Sequence, residues 1–284
     1  MKPQKNTQKE SLRQNAQASA RLHEYNEASK SARKEYKQEK RRARRLYLAK
    51  RRTLKSRFAR TDAGLMAAYG VKGKPEPPKR TLAEELMNSI SHGIGSVFAI
   101  VSFILLLILS DTPNEYAGAV IYSLGLFILF TASTLYHAFK HGGAAKRLFR
   151  RFDYSSIYIL IGATFAPPLL NVVGGTFGTA FFIIQWAIIV AGITLVCVFG
   201  PARLRFIHIP AYVLLGWSAL MLMPSLISSS FPLAMWILAG GVIYTLGIIP
   251  YVMKTKNAHS IWHVFVLLGA LTQWIGIFKY IYLA

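Results

Sequence analysis

Hydrophobic residues along this chain are gathered into seven long runs that follow one another from residue 86 to the C terminus. Each run holds about 18 or more mostly apolar residues, the length that a helix needs to cross a bilayer. The weakest is the fifth, because His208 and Pro210 interrupt its start. The pattern therefore predicts seven transmembrane helices, near residues 86–110, 116–139, 153–171, 177–199, 207–225, 232–253 and 260–282.

The residues before these runs are polar and basic. Of the 34 Lys and Arg in the chain, 24 lie in residues 1–80. Residues 1–32 have the composition of a disordered segment, residues 33–60 are strong helix formers, and "GKPEPPKR" at 73–80 is typical of a linker. The chain is thus predicted to have a basic, partly disordered and partly helical cytoplasmic arm, residues 1–81, and a seven-helix transmembrane domain, residues 82–284.

The orientation in the membrane is predicted from the charges of the loops. Three alternate loops carry nine Lys and Arg, and they lie at 140–152, 200–206 and 254–258. The other three carry none, and they lie at 111–115, 172–176 and 226–231. Basic residues are retained on the cytoplasmic side, so the N terminus is expected in the cytoplasm and the C terminus outside.

Four polar residues are predicted to lie at one depth, near the cytoplasmic ends of their helices. His137 ends the second helix and Asp153 begins the third. His259 and His263 begin the seventh, one turn apart on one face. Three neutral imidazoles suit Zn²⁺ and leave its fourth position open for water, although Cu, Ni and Fe also accept such ligands. Asp153 would orient or deprotonate that water, and Ser133, one turn before His137, would support the site.

Other polar residues are assigned weaker roles. His92, one turn after Asn88, is either a support or substrate contact for this site or a residue of helix packing. Glu85 is interpreted as a cap at the start of the first helix. His141 is expected to be solvated in a loop, and His208 to lie at the membrane interface.

Four stretches resemble the hemolysin III branch of the progestin and adipoQ receptor family over about residues 82–284. The resemblance implies seven helices with a cytoplasmic N terminus and a zinc site near the cytoplasmic side. By resemblance, His137, His259 and His263 are the ligands, while Asp153 contacts the zinc-bound water and Ser133 is the serine of the motif. The four stretches are "NSISHGIG" (88–95), "STLYHAF" (133–139), "RRFDYSSIYILIGATFAP" (150–167) and "HSIWHVFVLLG" (259–269).

The resemblance also implies a function, because the wider superfamily includes alkaline ceramidases. The first expectation is a zinc-dependent hydrolase of a membrane lipid amide or ester, with a ceramide-like substrate, or a factor in membrane homeostasis, in the inner membrane of a bacterium. The alternatives are a non-catalytic lipid sensor with structural zinc and a cytolytic hemolysin. The basic arm is expected to bind anionic lipid headgroups, and no specific nucleic acid is expected as a partner.

Overall fold

The computed structural model describes residues 3–68, 77–253 and 255–284, and within these ranges the chain forms helices joined by short connections, without a strand. Two units are distinguished by their internal contacts, Met1–Gly73 and Lys74–Ala284. The linker predicted at 73–80 begins outside the described residues. Its last four residues, 77–80, are not helical.

The first unit consists of one helix, α1, from Pro3 to Ala68. Neither glycine nor proline interrupts residues 4–63, which are rich in Ala, Arg, Lys, Gln and Glu, the residues of highest helix propensity. Residues 3–32 are therefore helical, although their polarity predicted disorder. The side chains from Ser19 to Leu54 are almost all exposed, so this stretch of α1 buries no face of its own.

Within the described part of the second unit, seven helical segments are long and apolar enough to cross a membrane, which confirms the seven predicted spans. The orientation of these spans remains a prediction. The helices are α2 (Leu82–Ile108), α3 (Pro113–Ala138), α4 (Ala144–Pro168), α5 (Gly175–Phe199), α6 (Arg205–Trp217), α7 (Met223–Ser229), α8 (Phe231–Val252) and α9 (Ala258–Ile277). A π-helical turn extends both α4, at Leu169–Val173, and α9, at Phe278–Tyr282, and a 3-10 turn at Ser218–Leu222 joins α6 to α7.

Two spans differ from the predicted ones: the third begins earlier than predicted, which changes the position of Asp153, and the fifth is interrupted. The charges of residues 146–151 predicted a loop, but α4 already begins at Ala144, because Lys, Arg, Ala and Leu are good helix formers. Asp153 therefore lies more than two turns inside α4 rather than at its start. The fifth span is broken between α6 and α7, and Pro224 lies in the first turn of α7, where a backbone N–H is not needed.

The start of α2 is fixed by a capping box. The Thr81 hydroxyl accepts a hydrogen bond from the Glu84 N–H at 3.2 Å, and the Glu84 carboxylate accepts one from the Thr81 N–H at 2.8 Å. This arrangement sets the first turn of the helix and the direction of the side chains that follow. Glu85, Asn88 and His92, at positions i, i+3 and i+7, consequently share one face of α2.

Glycines allow the helices of the bundle to approach closely. Helix α3 packs along both α2 and α4, and α9 packs along α8 and also contacts α2. A Cβ at Gly125 in α3 would collide with the side chain of Ala163 in α4, and one at Gly95 in α2 would collide with the ring of Phe130 in α3. Small residues at such contacts are typical of membrane helices, and here they bring α2 and α4 close to α3.

We expect Gly125→Val to destabilise the bundle by about 1–3 kcal/mol, because α3 and α4 must separate to admit the new side chain. The midpoint of thermal unfolding in detergent measures this effect. Gly241→Val is a matched control in α8, because no atom lies within 4 Å of a Cβ built there. Equal midpoints for the two variants would contradict the close contact between α3 and α4.

Candidate metal centre

One hydrogen bond holds the start of α9 against the start of α2. Asn257 caps α9 in the left-handed conformation (φ 61°), which asparagine tolerates better than most residues. Its backbone N–H donates to Oε1 of Glu84 at 3.1 Å. Because Glu84 also caps α2, the two helices begin at the same level, and the first turns of α9 lie beside the face of α2 that carries His92.

Three histidines converge at this end of the bundle. His137 lies at the end of α3, and His259 and His263 lie one turn apart at the start of α9. One ring nitrogen from each lies within 4.8 Å of the other two, and within the described part of the chain this is the one such group. The Nε2 atoms of His259 and His263 are 3.2 Å apart, and the ring centroids of His137 and His263 are 4.8 Å apart.

These positions fit a metal ion. Two imidazole nitrogens that bind one tetrahedral Zn²⁺ at about 2.0–2.1 Å are about 3.3 Å apart, close to the separation of the two Nε2 atoms of α9. His137 and His263 are almost completely buried. The Nε2 atom of His137 is also buried and has no hydrogen-bond partner, and a polar atom in that position calls for an ion or a water. The triad could therefore hold a metal ion.

A carboxylate fixes the orientation of the His137 ring. Oε2 of Glu85 lies 2.6 Å from His137 Nδ1, and the amide nitrogen of Asn88 lies 3.3 Å from the same atom. The short distance to Glu85 indicates that Nδ1 carries the proton and that its N–H donates a hydrogen bond to the carboxylate. The other nitrogen, Nε2, is then left with a free lone pair, as a metal ligand requires.

The other oxygen of Glu85 binds a buried lysine. Lys146 Nζ lies 2.8 Å from Oε1 of Glu85, 3.5 Å from the carbonyl oxygen of His137, and 4.5 Å from the centre of the Tyr136 ring. Lys146 is fully buried, and an unpaired charge in that position would cost several kcal/mol. The ion pair therefore neutralises both groups beside the triad.

Sequence reasoning missed this pair. The interpretation of Glu85 as a helix cap is wrong, because Glu84 fills that role and Glu85 turns towards His137 and Lys146. The one signal in the sequence was the alignment of Glu85 with Asn88 and His92 on a single helical face. Lys146 gave no signal, since it was counted among the charges of a loop.

Asp153 and Ser133 lie at the same end of the bundle. The Asp153 carboxyl lies near the Ser133 hydroxyl and near His137, although the Ser133 hydroxyl itself makes no hydrogen bond. Ser133 is almost completely buried, and Asp153 is 7% exposed. The structure thus brings the two residues predicted to act with the triad to its side, even though Asp153 lies further inside its helix than expected.

A long cavity opens beside these residues and runs into the bundle between α4, α6, α8 and α9. Asp153 and His259 line its polar end, and Pro168 and Gln273 line it further along α4 and α9. A rise of 1.5 Å per residue gives the cavity a length of roughly 20 Å. Most of the side chains between its ends are apolar, so the cavity suits a hydrocarbon chain better than a polar solute.

The remaining histidines of the second unit lie outside the triad. His92 is buried, with its ring 3.9 Å from that of His263 and its Nε2 3.3 Å from the His263 carbonyl oxygen, so it supports the ligand ring and also lines the cavity. His208 is buried in the first turn of α6, with its Nδ1 3.0 Å from the Tyr158 hydroxyl. His141 is not simply solvated, since its Nε2 lies 2.8 Å from the Pro77 carbonyl oxygen.

Comparison with known proteins gives consistent matches. A family model described as haemolysin-III related matches residues 80–274. Hemolysin-3 of Bacillus cereus is 32% identical over 206 residues, which cover 70% of this chain and 92% of the relative. The hemolysin-3 homolog of Bacillus subtilis is 30% identical over 208 residues, covering 70% and 95%. Monocyte to macrophage differentiation factor of Homo sapiens is 30% identical over 212 residues, covering 72% and 87%.

The region matched by the family model begins just before α2 and contains the three histidines, Asp153 and Ser133, whereas α1 lies outside it. Together with the seven spans, these matches establish the kind of protein to which the bundle belongs. The chain is a multi-pass membrane protein and a member of the haemolysin-III-related branch of the progestin and adipoQ receptor family.

Proposed function

We propose that this protein is a zinc-dependent hydrolase that cleaves an amide or ester bond in a membrane lipid, with a ceramide-like lipid as substrate. The observation that supports this proposal most directly is the position of the histidine triad and Asp153 at the polar end of a long apolar cavity. A purely structural metal would need neither a neighbouring carboxylate nor access to a cavity.

The side chains around the triad suit the separate steps of hydrolysis. Zinc bound by three imidazoles supplies a Lewis acid for a carbonyl oxygen and favours the ionisation of water. Asp153 would accept the proton of the attacking water and pass it to the leaving amine or alkoxide. Ser133, within reach of Asp153, would hold the carboxylate in place. Glu85 would keep Nε2 of His137 directed at the metal.

The cavity would bind the substrate by its hydrocarbon chain. An acyl chain lying along α4 and α9 would fill the apolar part and exclude water from it, which leaves the polar head of the lipid beside Asp153 and His259. The bias of basic residues supports a cytoplasmic N terminus, and the similarity to hemolysin-3 proteins of two Bacillus species supports a position in a bacterial inner membrane. A non-catalytic lipid sensor with structural zinc is the competing proposal, which the experiments below distinguish from hydrolysis.

Purified protein is expected to contain about one zinc ion per chain. His137→Ala and His263→Ala should each lose it, because two imidazoles hold zinc far less tightly than three. Elemental analysis of protein purified without chelators measures the content. His208→Ala is the matched control, since it removes a buried histidine outside the triad and should retain the metal. Wild-type protein without metal would contradict the proposed site.

Asp153→Asn is expected to retain zinc but to hydrolyse a ceramide-like substrate about 10²–10⁴-fold more slowly, because the amide cannot accept a proton. Release of fatty acid in detergent or in liposomes measures the rate. Asp111→Asn, at an exposed aspartate, is the control and should behave as the wild type. If zinc-loaded wild type releases no product from any lipid amide or ester, the sensor proposal replaces hydrolysis.

Glu85→Gln is expected to weaken zinc binding about 10–100-fold, because the neutral amide holds the His137 ring less firmly than the carboxylate does. Competition with a chelator of known affinity measures the change. Glu115→Gln is the control, since Glu115 lies in the capping box at the start of α3, whereas His137 lies at the other end of that helix. Unchanged affinity in Glu85→Gln would show that the carboxylate does not position the ligand.

A further inference from the structure

Helix α1 carries a continuous basic face. An α-helix turns about 100° per residue, and on that basis ten of the twelve Lys and Arg between Lys30 and Leu54 fall within an arc of about 140°. Arg42 and Lys50 are the two that lie outside it. The ten residues of this basic face are Lys30, Arg33, Lys34, Lys37, Lys40, Arg41, Arg44, Arg45, Arg51 and Arg52.

A row of tyrosines runs along one edge of the basic face. Tyr25, Tyr36 and Tyr47 recur at intervals of 11 residues, which is close to three helical turns, so the three rings stand almost in line. Their exposed fractions are 70%, 64% and 65%. Leu54, 45% exposed, continues this tyrosine stripe towards the end of the helix.

The acidic residues of the same stretch avoid the middle of the basic face. Glu24, Glu35 and Glu39 lie on the far side of the helix, and Glu27 lies at the edge, where it pairs with Lys30 at 2.8 Å. The helix therefore has one strongly basic side and an opposite side on which Glu24, Glu35 and Glu39 balance Arg21, Arg42 and Lys50. Such a cross-section would orient α1 on a negatively charged surface, with its glutamates turned away from that surface.

We propose that α1 lies along the surface of an anionic bilayer, with its basic face on the phosphates of the headgroups and its tyrosine stripe at the interface. Basic segments next to a membrane span are attracted to anionic lipid, and tyrosine is favoured at headgroup depth. The few large apolar residues of α1 suit a position on the membrane rather than within it. Since the chain continues from α1 into seven spans, a bilayer is always nearby.

The charges and rings fit lipid better than RNA. Proteins that bind single-stranded nucleic acid combine a basic groove with aromatic rings on which successive bases stack, whereas the tyrosine stripe runs beside the basic face. The basic face also extends for about 33 Å between Lys30 and Arg52, at 1.5 Å per residue. A flat, extended arrangement of this kind matches a planar array of headgroups.

Chymotrypsin offers a direct test, because it cleaves after tyrosine and so reports the accessibility of the stripe. The full chain is placed in nanodiscs of phosphatidylcholine, with or without phosphatidylglycerol, and cleavage after Tyr36 and Tyr47 is followed by mass spectrometry. We expect cleavage to be about tenfold slower on the anionic nanodiscs, and high salt to abolish the difference. Equal rates on both lipids would overturn the proposal.

A triple variant tests the basic face itself. Lys37→Glu, Arg41→Glu and Arg44→Glu together reverse the charge at its centre and leave every tyrosine in place. Glutamate is also a good helix former, and these side chains are exposed, so the helix is expected to persist, as circular dichroism would verify. We expect this variant to be cleaved at the same rate on both nanodiscs.

The matched control changes the net charge by the same amount, but on the opposite side of α1. Arg21→Glu, Arg42→Glu and Lys50→Glu lie outside the basic face and should leave the protection by phosphatidylglycerol intact. Equal loss of protection in both triple variants would show that only net charge matters, and would overturn the proposed face. Cleavage on neutral nanodiscs is also measured with an unstructured RNA oligonucleotide added. If the RNA protects α1 more strongly than phosphatidylglycerol does, RNA rather than anionic lipid is the partner of the basic face, and the proposal is overturned.

Discussion

The ion pair between Glu85 and Lys146 is the constraint on which the polar end of this bundle depends. A fully buried ammonium in a membrane protein needs a partner, and its partner here is a carboxylate that also orients His137. The neighbouring Glu84 binds the cap of α9. Two consecutive carboxylates of α2 thus connect the ends of α3, α4 and α9 at one level, and the triad forms where those connections meet.

Much of the fold and the triad could be predicted from the sequence. Hydropathy reports the depth of a residue in the membrane, and depth alone placed His137, His259 and His263 together. Hydropathy does not report which helices are neighbours, or whether a charged side chain at a helix end faces the solvent or the interior of the bundle. The inward positions of Glu85 and Lys146 follow from contacts between helices that are distant in sequence, and no local pattern encodes such contacts.

The start of α4 shows a different limit. Loop prediction from charge treats lysine and arginine as residues of the membrane surface, but both are good helix formers, and Lys146 has a buried partner. The same kind of error affected α1. Its composition predicted an arm that is partly disordered and partly helical, whereas α1 is one helix that gathers most of its basic residues on one side and its tyrosines along an edge of that side. Composition gives the number of charged residues, whereas the helical backbone determines on which side of the helix each of them lies.

The Glu85 carboxylate, which contacts both His137 and Lys146, constrains how the sequence of this protein can evolve. A substitution of Lys146 alone leaves the Glu85 carboxylate without its cation, and a substitution of Glu85 alone leaves the Lys146 ammonium without its anion. Either change disturbs the orientation of the His137 ring. Because each single step passes through a less stable protein, the three positions are expected to vary together or not at all. A comparison of many relatives should therefore reveal them as one covarying unit, even though they lie on three helices and up to 61 positions apart.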